Sequence, residues 1–220
     1  MTKIKLCGLR SIEDVMVATD ARADYIGFVL AKSKRQVTLQ QVQYMLSLLR
    51  DQYVVVPEPV LVLVDQSEEE IATICATLGV SHVQLCGAET PEMCSRLRTQ
   101  HGLTVWKAWG VRGTNEDHEL ARYVGNVDAI LLDTYKTGTH GGTGHPFQWT
   151  AIDDVRYVVD NTPLIIAGGL QVGTVTSLIS QYHPFAVDVS SGIETEMTGE
   201  KDPIKMHAFV KAARSESHVS

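Results

Sequence analysis

A few short stretches carry residues whose types suit chemistry. Cys7 closes the apolar run "KIKLC", and Asp133 closes "AILLD" ahead of a loop rich in glycine and threonine. Gly168-Gly169 follow "PLIIA", Ser190-Ser191-Gly192 follow "AVDV", and Arg35 ends the basic "AKSKR". An aspartate directly behind an apolar run loses hydration, which favours its protonated, proton-donating form. The same position also suits an aspartate that merely caps a turn. A thiolate can accept a proton, although a free cysteine is also a small buried hydrophobe. As donor and acceptor on opposite sides of a small molecule, the two would suit general acid–base catalysis. Glycines expose backbone N–H groups and serines add hydroxyl donors, which together can cradle a phosphate; each motif alone is equally a tight turn. Arg35 can hold a carboxylate through a bidentate contact, where an ordinary basic loop would only be solvated.

The elements that must position these groups follow a repeat. Apolar, β-rich runs start at Lys3, Tyr25, Leu61 (led in by Val60), His82, Thr104, Ala129, Pro163 and Ala186. Most are apolar on both faces, as parallel strands covered on each side should be. Between them lie helix starts. Ser11 precedes Glu13 and Asp14, while Thr38 with Gln41 and Ser67 with Glu70 fit the capping box. Thr90-Pro91 puts a cap before a proline at the first helical position.

Strand and helix alternating eight times predict a single-domain (β/α)8 TIM barrel of the α/β class, over residues 1–213 with a polar tail at 214–220. An open doubly wound sheet would want a glycine fingerprint after the first strand, which "CGLRSI" lacks. Barrels place catalytic groups at the C-terminal ends of strands and phosphate at the loops after strands seven and eight. Both glycine motifs fall on those loops. Cys7 and Asp133 fall at the ends of strands one and six, which are not neighbours, so they can face each other across the mouth.

The longest gaps follow strands two and six, as if two half-barrels shared a plan. By that logic a second phosphate could sit after strands three and four. Asp65, Glu68, Glu69 and Glu70 would repel it, and strand four ends in a single Gly87, so one phosphate is expected. The glycine-rich loop at 138–144 reads as a flap over the site, or else as a linker.

A net charge of −7 argues against nucleic acid and anionic membrane as partners. The four cysteines form no CxxC pair and no zinc-type spacing, which fits reduced thiols in a cytoplasm. His140 and His145, near Asp133, lack the spacing that fixes a metal's geometry, so no metal is expected. No signal-peptide pattern or membrane-length apolar run is visible, and a cytoplasmic monomer is the default expectation.

Taken together, "KIKLCGL", "GFVLAKSKR", "VQLCG", "LLDT" with "GGTG", "AGGL", and "FAVDVSSGIE" with "GEKD" resemble the phosphoribosylanthranilate isomerase family of tryptophan biosynthesis. The likeness runs from Lys3 to about Phe209. It implies an Amadori rearrangement of N-(5-phosphoribosyl)anthranilate without metal or organic cofactor. Matched position by position, Cys7 falls on the family's general base and Asp133 on its general acid. Arg35 falls on the ligand of the substrate carboxylate. Gly168, Gly169, Ser190, Ser191 and Gly192 fall in its phosphate loops, and Asp188 on a supporting aspartate. Two departures stand out: Cys86 where the family usually has histidine, and Phe147-Gln148-Trp149 where it usually reads Phe-Asp-Trp. They leave room for a shifted substrate preference.

The related histidine-pathway isomerase, or a barrel serving both pathways, would carry aspartate where Cys7 stands. A catalytically silent sugar-phosphate-binding barrel would have no need of both Cys7 and Asp133.

Overall fold

The computed structural model describes residues 1–111, 117–134, 149 and 151–215. Eight parallel strands close in sequence order into one barrel. They are β1 (Lys3–Cys7), β2 (Tyr25–Val29), β3 (Glu58–Leu63), β4 (His82–Leu85), β5 (Thr104–Val111), β6 (Ala129–Thr134), β7 (Leu164–Ile166) and β8 (Ala186–Val189). The helices between them are α1 (Ile12–Asp20), α2 (Leu39–Gln52), α3 (Glu68–Leu78), α4 (Pro91–Thr99), α5 (Asp117–Ala121), α6 (Ala151–Val159), α7 (Val172–Tyr182) and α8 (Pro203–Arg214). A 3₁₀ turn at Ser191–Ile193 precedes α8. Closure comes from β1 pairing with β8, Lys5 beside Asp188 and Leu6 beside Val189.

Local chemistry sets the helix ends. Ser11 with Asp14, Thr38 with Gln41 and Ser67 with Glu70 all form reciprocal capping boxes. Each such cap contributes about 1 kcal/mol by satisfying N–H groups that the first helical turn leaves open. Thr90 caps α4 ahead of Pro91, and Asp202 caps α8 ahead of Pro203. Left-handed Gly79 (φ 60°) ends α3.

Side-chain alternation along each strand divides the interior into two layers. Ile4 and Leu6 of β1, Ile130 and Leu132 of β6 and their counterparts pack against the helices. The opposite faces of the strands fill the lumen with Val60, Trp106, Ala129, Leu131, Ile165, Ala167 and Ala186. Trp106 meets Tyr25 edge-on, with ring centroids 4.9 Å apart. Truncating a buried aromatic of this kind costs about 3–5 kcal/mol. Towards the C-terminal ends of the strands the lumen turns polar, with Lys5 donating to both Gln84 and Asp188. No described helix is long and apolar enough to cross a membrane.

Candidate active site

Inward positions on β1 run Lys3, Lys5, Cys7, so the thiol stands directly above the buried ammonium. Lys5 Nζ lies 3.0 Å from Asp188 Oδ1 and 2.8 Å from Gln84 Oε1. Burial alone would pull Lys5 down, but Asp188 and then Cys7 carry it above the ordinary lysine value. Cys7 is buried and its thiol is pushed up, with burial the largest cause; the Lys5 charge pulls it back, Asp188 adds to the rise, and Lys201 pulls it back further. Burial lifts Cys75 and Cys94 to about 11 and Cys86 to about 12. What distinguishes Cys7 is that the charge of Lys5 is the chief counterweight to its burial.

Gly27, paired with Cys7 across β1 and β2, makes room for the sulfur: a Cβ there would sit 2.7 Å from Cys7 Sγ and 3.1 Å from Lys5 Cε. On β6, Ala129 and Leu131 point into the lumen, and Asp133 continues that face one step nearer the mouth. It is partly exposed and pairs in register with Gly110.

Arg35 enters from the loop after β2 and is buried. Its Nε and Nη2 fork onto Glu194 Oε1 and Oε2 at 2.5 and 2.9 Å. Lys201 Nζ reaches the same carboxylate at 3.0 Å and also the carbonyl and hydroxyl oxygens of Ser190, at 2.9 and 3.2 Å. Burial raises Glu194, yet the Arg35 hydrogen bonds and the Lys201 charge outweigh it and hold the carboxyl below its usual value. The loops after β2 and β8 are thereby locked together. Arg35 lies within electrostatic range of both Cys7 and Asp133. Its Cδ sits 2.7 Å from where a Cβ on Gly8 would be, and Ser190 Oγ sits 3.1 Å from the same point, so these groups share one mouth.

Beyond β7, Gly168 and Gly169 both take positive φ, 79° and 69°, a conformation that glycine adopts without strain. A Cβ on Gly192 would collide with the carbonyl oxygen of Leu170, so the loops after β7 and β8 meet backbone to backbone. The N–H groups of Gly168, Gly169, Ser191 and Gly192 donate to no acceptor among the described residues. Four open amides and the hydroxyls of Ser190 and Ser191 therefore cluster between β6, which carries Asp133, and β1, which carries Cys7.

The sequence-predicted residues Cys7, Asp133, Arg35, Asp188 and the two glycine motifs all lie at this end of the barrel. Lys5, Gln84, Glu194 and Lys201 were not singled out. A lysine between Ile4 and Leu6, inside the strand rather than at its end, was the available signal for Lys5. The 138–144 loop, His140, His145 and Gln148 lie outside the described residues. No cluster of His, Cys, Asp or Glu among the described residues could hold a metal.

The family model for N-(5'-phosphoribosyl)anthranilate isomerase matches residues 4–212. The chain belongs to this family. Relatives bearing that name include one from Brevibacillus brevis, 38% identical over 217 residues, covering 98% of this chain and 95% of the relative. Another, from a Thermoanaerobacter species, is 37% identical over 214 residues, covering 97% and 98%. Among solved structures, the phosphoribosylanthranilate isomerase from Thermotoga maritima superposes with a TM-score of 0.84 at 30% identity, covering 98% of this chain and 100% of that one. A phosphoribosylanthranilate isomerase in complex with reduced 1-(o-carboxyphenylamino)-1-deoxyribulose 5-phosphate gives 0.82 at 30% identity, covering the same shares. The family is one of isomerases on a TIM barrel, and this chain is an enzyme of that kind.

Proposed function

We propose that the chain converts N-(5-phosphoribosyl)anthranilate to 1-(2-carboxyphenylamino)-1-deoxyribulose 5-phosphate, with Cys7 as general base and Asp133 as general acid. The observation that carries this reading is the order of groups around the mouth: acid on β6, open amides after β7 and β8, base on β1. A 5-phosphate held by Gly168, Gly169, Ser190, Ser191 and Gly192 leaves its ribose between the two proton-transfer groups.

Asp133 delivers a proton to the furanose ring oxygen as the C1–O bond breaks, and the nitrogen lone pair forms the Schiff base. Cys7 thiolate then removes the proton from C2. The C–H electrons neutralise the iminium, and the enolamine tautomerises to the ketone with protonation at C1. Cys7 must be ionised for this, and its environment sets the two opposing influences: burial disfavours the thiolate, while Lys5 and the cationic Schiff base favour it. Asp188 holds Lys5 in place and so supports the base without touching the reacting atoms.

Arg35 binds the anthranilate carboxylate through Nη1, which donates to no acceptor among the described residues; Nε and Nη2 are committed to Glu194. The ligand thus carries one phosphate and one carboxylate. We take the chain to act as a monomer in the cytoplasm, its exposed large apolar side chains being scattered, among them Tyr44 on α2, Val54 and Val55 after it, Tyr157 on α6, Met197 before α8 and Ile204 on α8. Freshly made phosphoribosylanthranilate should lose its fluorescence on addition of the protein, and the gene should rescue a tryptophan auxotroph lacking this isomerase. A folded protein that does neither would refute the assignment.

A further inference from the structure

The open amides after β7 and β8 have a counterpart across the barrel that is closed. At the ends of β3 and β4, the N–H groups of Val64, Asp65, Gly87 and Ala88 all have side-chain acceptors from the same two loops. Val64 donates to Gln66 Oε1 at 2.7 Å, and Asp65 to Glu89 Oε1 at 3.0 Å. Gly87 donates to Glu89 Oε2 at 2.9 Å, and Ala88 to Asp65 Oδ1 at 2.6 Å. Lys107, on the helix-facing side of β5, adds its ammonium to Glu89 Oε2 at 2.9 Å and to the Gly87 carbonyl at 2.6 Å. The Glu89 and Lys107 side chains are 1% and 3% exposed. Tyr123 Oη donates to the Glu89 carbonyl at 2.9 Å and pins that residue's backbone.

An anion gripped by two backbone amides and a buried ammonium is the ligand field of a bound phosphate. Here the anion is the chain's own carboxylate. Asp65 adopts a left-handed φ of 58° to take part, a conformation that costs a non-glycine residue about 1 kcal/mol or more. Gly87 has no Cβ because the Asp65 carboxylate fills that space. Two of the three glutamates expected from the sequence to repel a second phosphate are occupied elsewhere: Glu68 pairs with Arg96 at 2.8 Å and His101 at 3.1 Å, and Glu70 caps the Ser67 N–H at 2.8 Å. The donors for a second phosphate are therefore present but internally occupied.

We infer that Glu89, assisted by Asp65, is a built-in anion filling a second cradle at the barrel rim, so that the mouth accepts a sugar bearing one phosphoryl group and refuses one bearing two. This specificity role rests on the phosphate reading of the loops after β7 and β8. Counting equivalents of bound inorganic phosphate by calorimetry and ³¹P NMR tests the two separately.

The full-length chain should bind one equivalent and Glu89→Ala two. Phosphate at about 100 times the new Kd should raise the variant's folded-to-unfolded ratio about 100-fold beyond any gain seen in the parent. Asp65→Ala, at an exposed side chain, should fold and show a weaker second equivalent; if Glu89→Ala folds in neither phosphate nor chloride, the Asp65 variant alone decides. Folded variants with no added equivalent overturn the inference. A pentose phosphorylated at both ends should gain about tenfold or more over the 5-monophosphate in Glu89→Ala, and no gain would deny the cradle any part in specificity. A parent chain binding no phosphate, with a variant gaining one, would instead remove the β7/β8 assignment and leave this one standing.

Discussion

Replacing Lys5 by methionine isolates the electrostatic support of the base. Lys5 Cε and Cys7 Sγ lie 3.1 and 2.7 Å from one common point, the Cβ position of Gly27. Two unit charges at about 5–6 Å with an effective dielectric of about 20 interact by about 3 kcal/mol, or about 2 pKa units. Lys5 is also paired with Asp188, which offsets part of its field at Cys7. A net rise of about 1–2 units in the Cys7 pKa is therefore expected, enough to cut the thiolate fraction near neutral pH about 10- to 100-fold. Because the base acts ionised, the limb of kcat/KM that rises with pH should move to higher pH by the same amount. The pH midpoint of Cys7 alkylation by iodoacetamide should follow it. Asp188→Asn removes the opposing charge and should move both midpoints down. Midpoints that stay put in Lys5→Met, or that shift the same way in both variants, would refute the argument.

Other perturbations test the remaining parts. Arg35→Ala should raise KM far more than it lowers kcat in steady-state assays, and should also lower stability by about 1.5–3 kcal/mol in urea melts, because Glu194 loses its forked partner but keeps Lys201. Glu194 has a folded-state pKa below its unfolded value, so its stabilisation is present above the ordinary carboxylate range and lost as pH falls through the folded value. Glu194→Gln should flatten that acid-side slope in thermal melts. Gly192→Ala should push the β7 and β8 loops apart where its methyl meets the Leu170 carbonyl, weakening binding of ribose 5-phosphate in calorimetry and costing about 1–3 kcal/mol of stability. Gly27→Ala should crowd Cys7 Sγ and lower kcat with little change in KM.

The barrel was legible because the repeats carry their own signals: two-sided apolar runs, a start signal at Ser11, capping boxes at Thr38 and Ser67, and proline after Thr90. Boundaries were less so. β3 begins at Glu58, earlier than the apolar run suggests, because Glu58-Pro59 reads as a turn while proline's fixed φ also fits the first residues of a strand. Cys7, Asp133 and the glycine loops could be placed from strand ends alone, since the fold fixes where those ends meet. The pairings around them were hidden by distance along the chain: Lys5 bonds to residues 79 and 183 positions away, and Arg35 to one 159 away. A lysine two residues before a cysteine becomes meaningful only once strand alternation puts both on the lumen face. Nothing in the sequence marks Glu89, whose carboxylate gathers donors from residues 65, 87 and 107 only once the barrel is closed.

The most direct measurement is the single-turnover decay of phosphoribosylanthranilate fluorescence with the parent chain, Cys7→Ser and Asp133→Asn at matched, saturating protein. Circular dichroism should be unchanged in all three, and each substitution should slow turnover by about 10²- to 10⁴-fold. A folded Cys7→Ser or Asp133→Asn protein that consumes substrate at the parent rate would contradict the account.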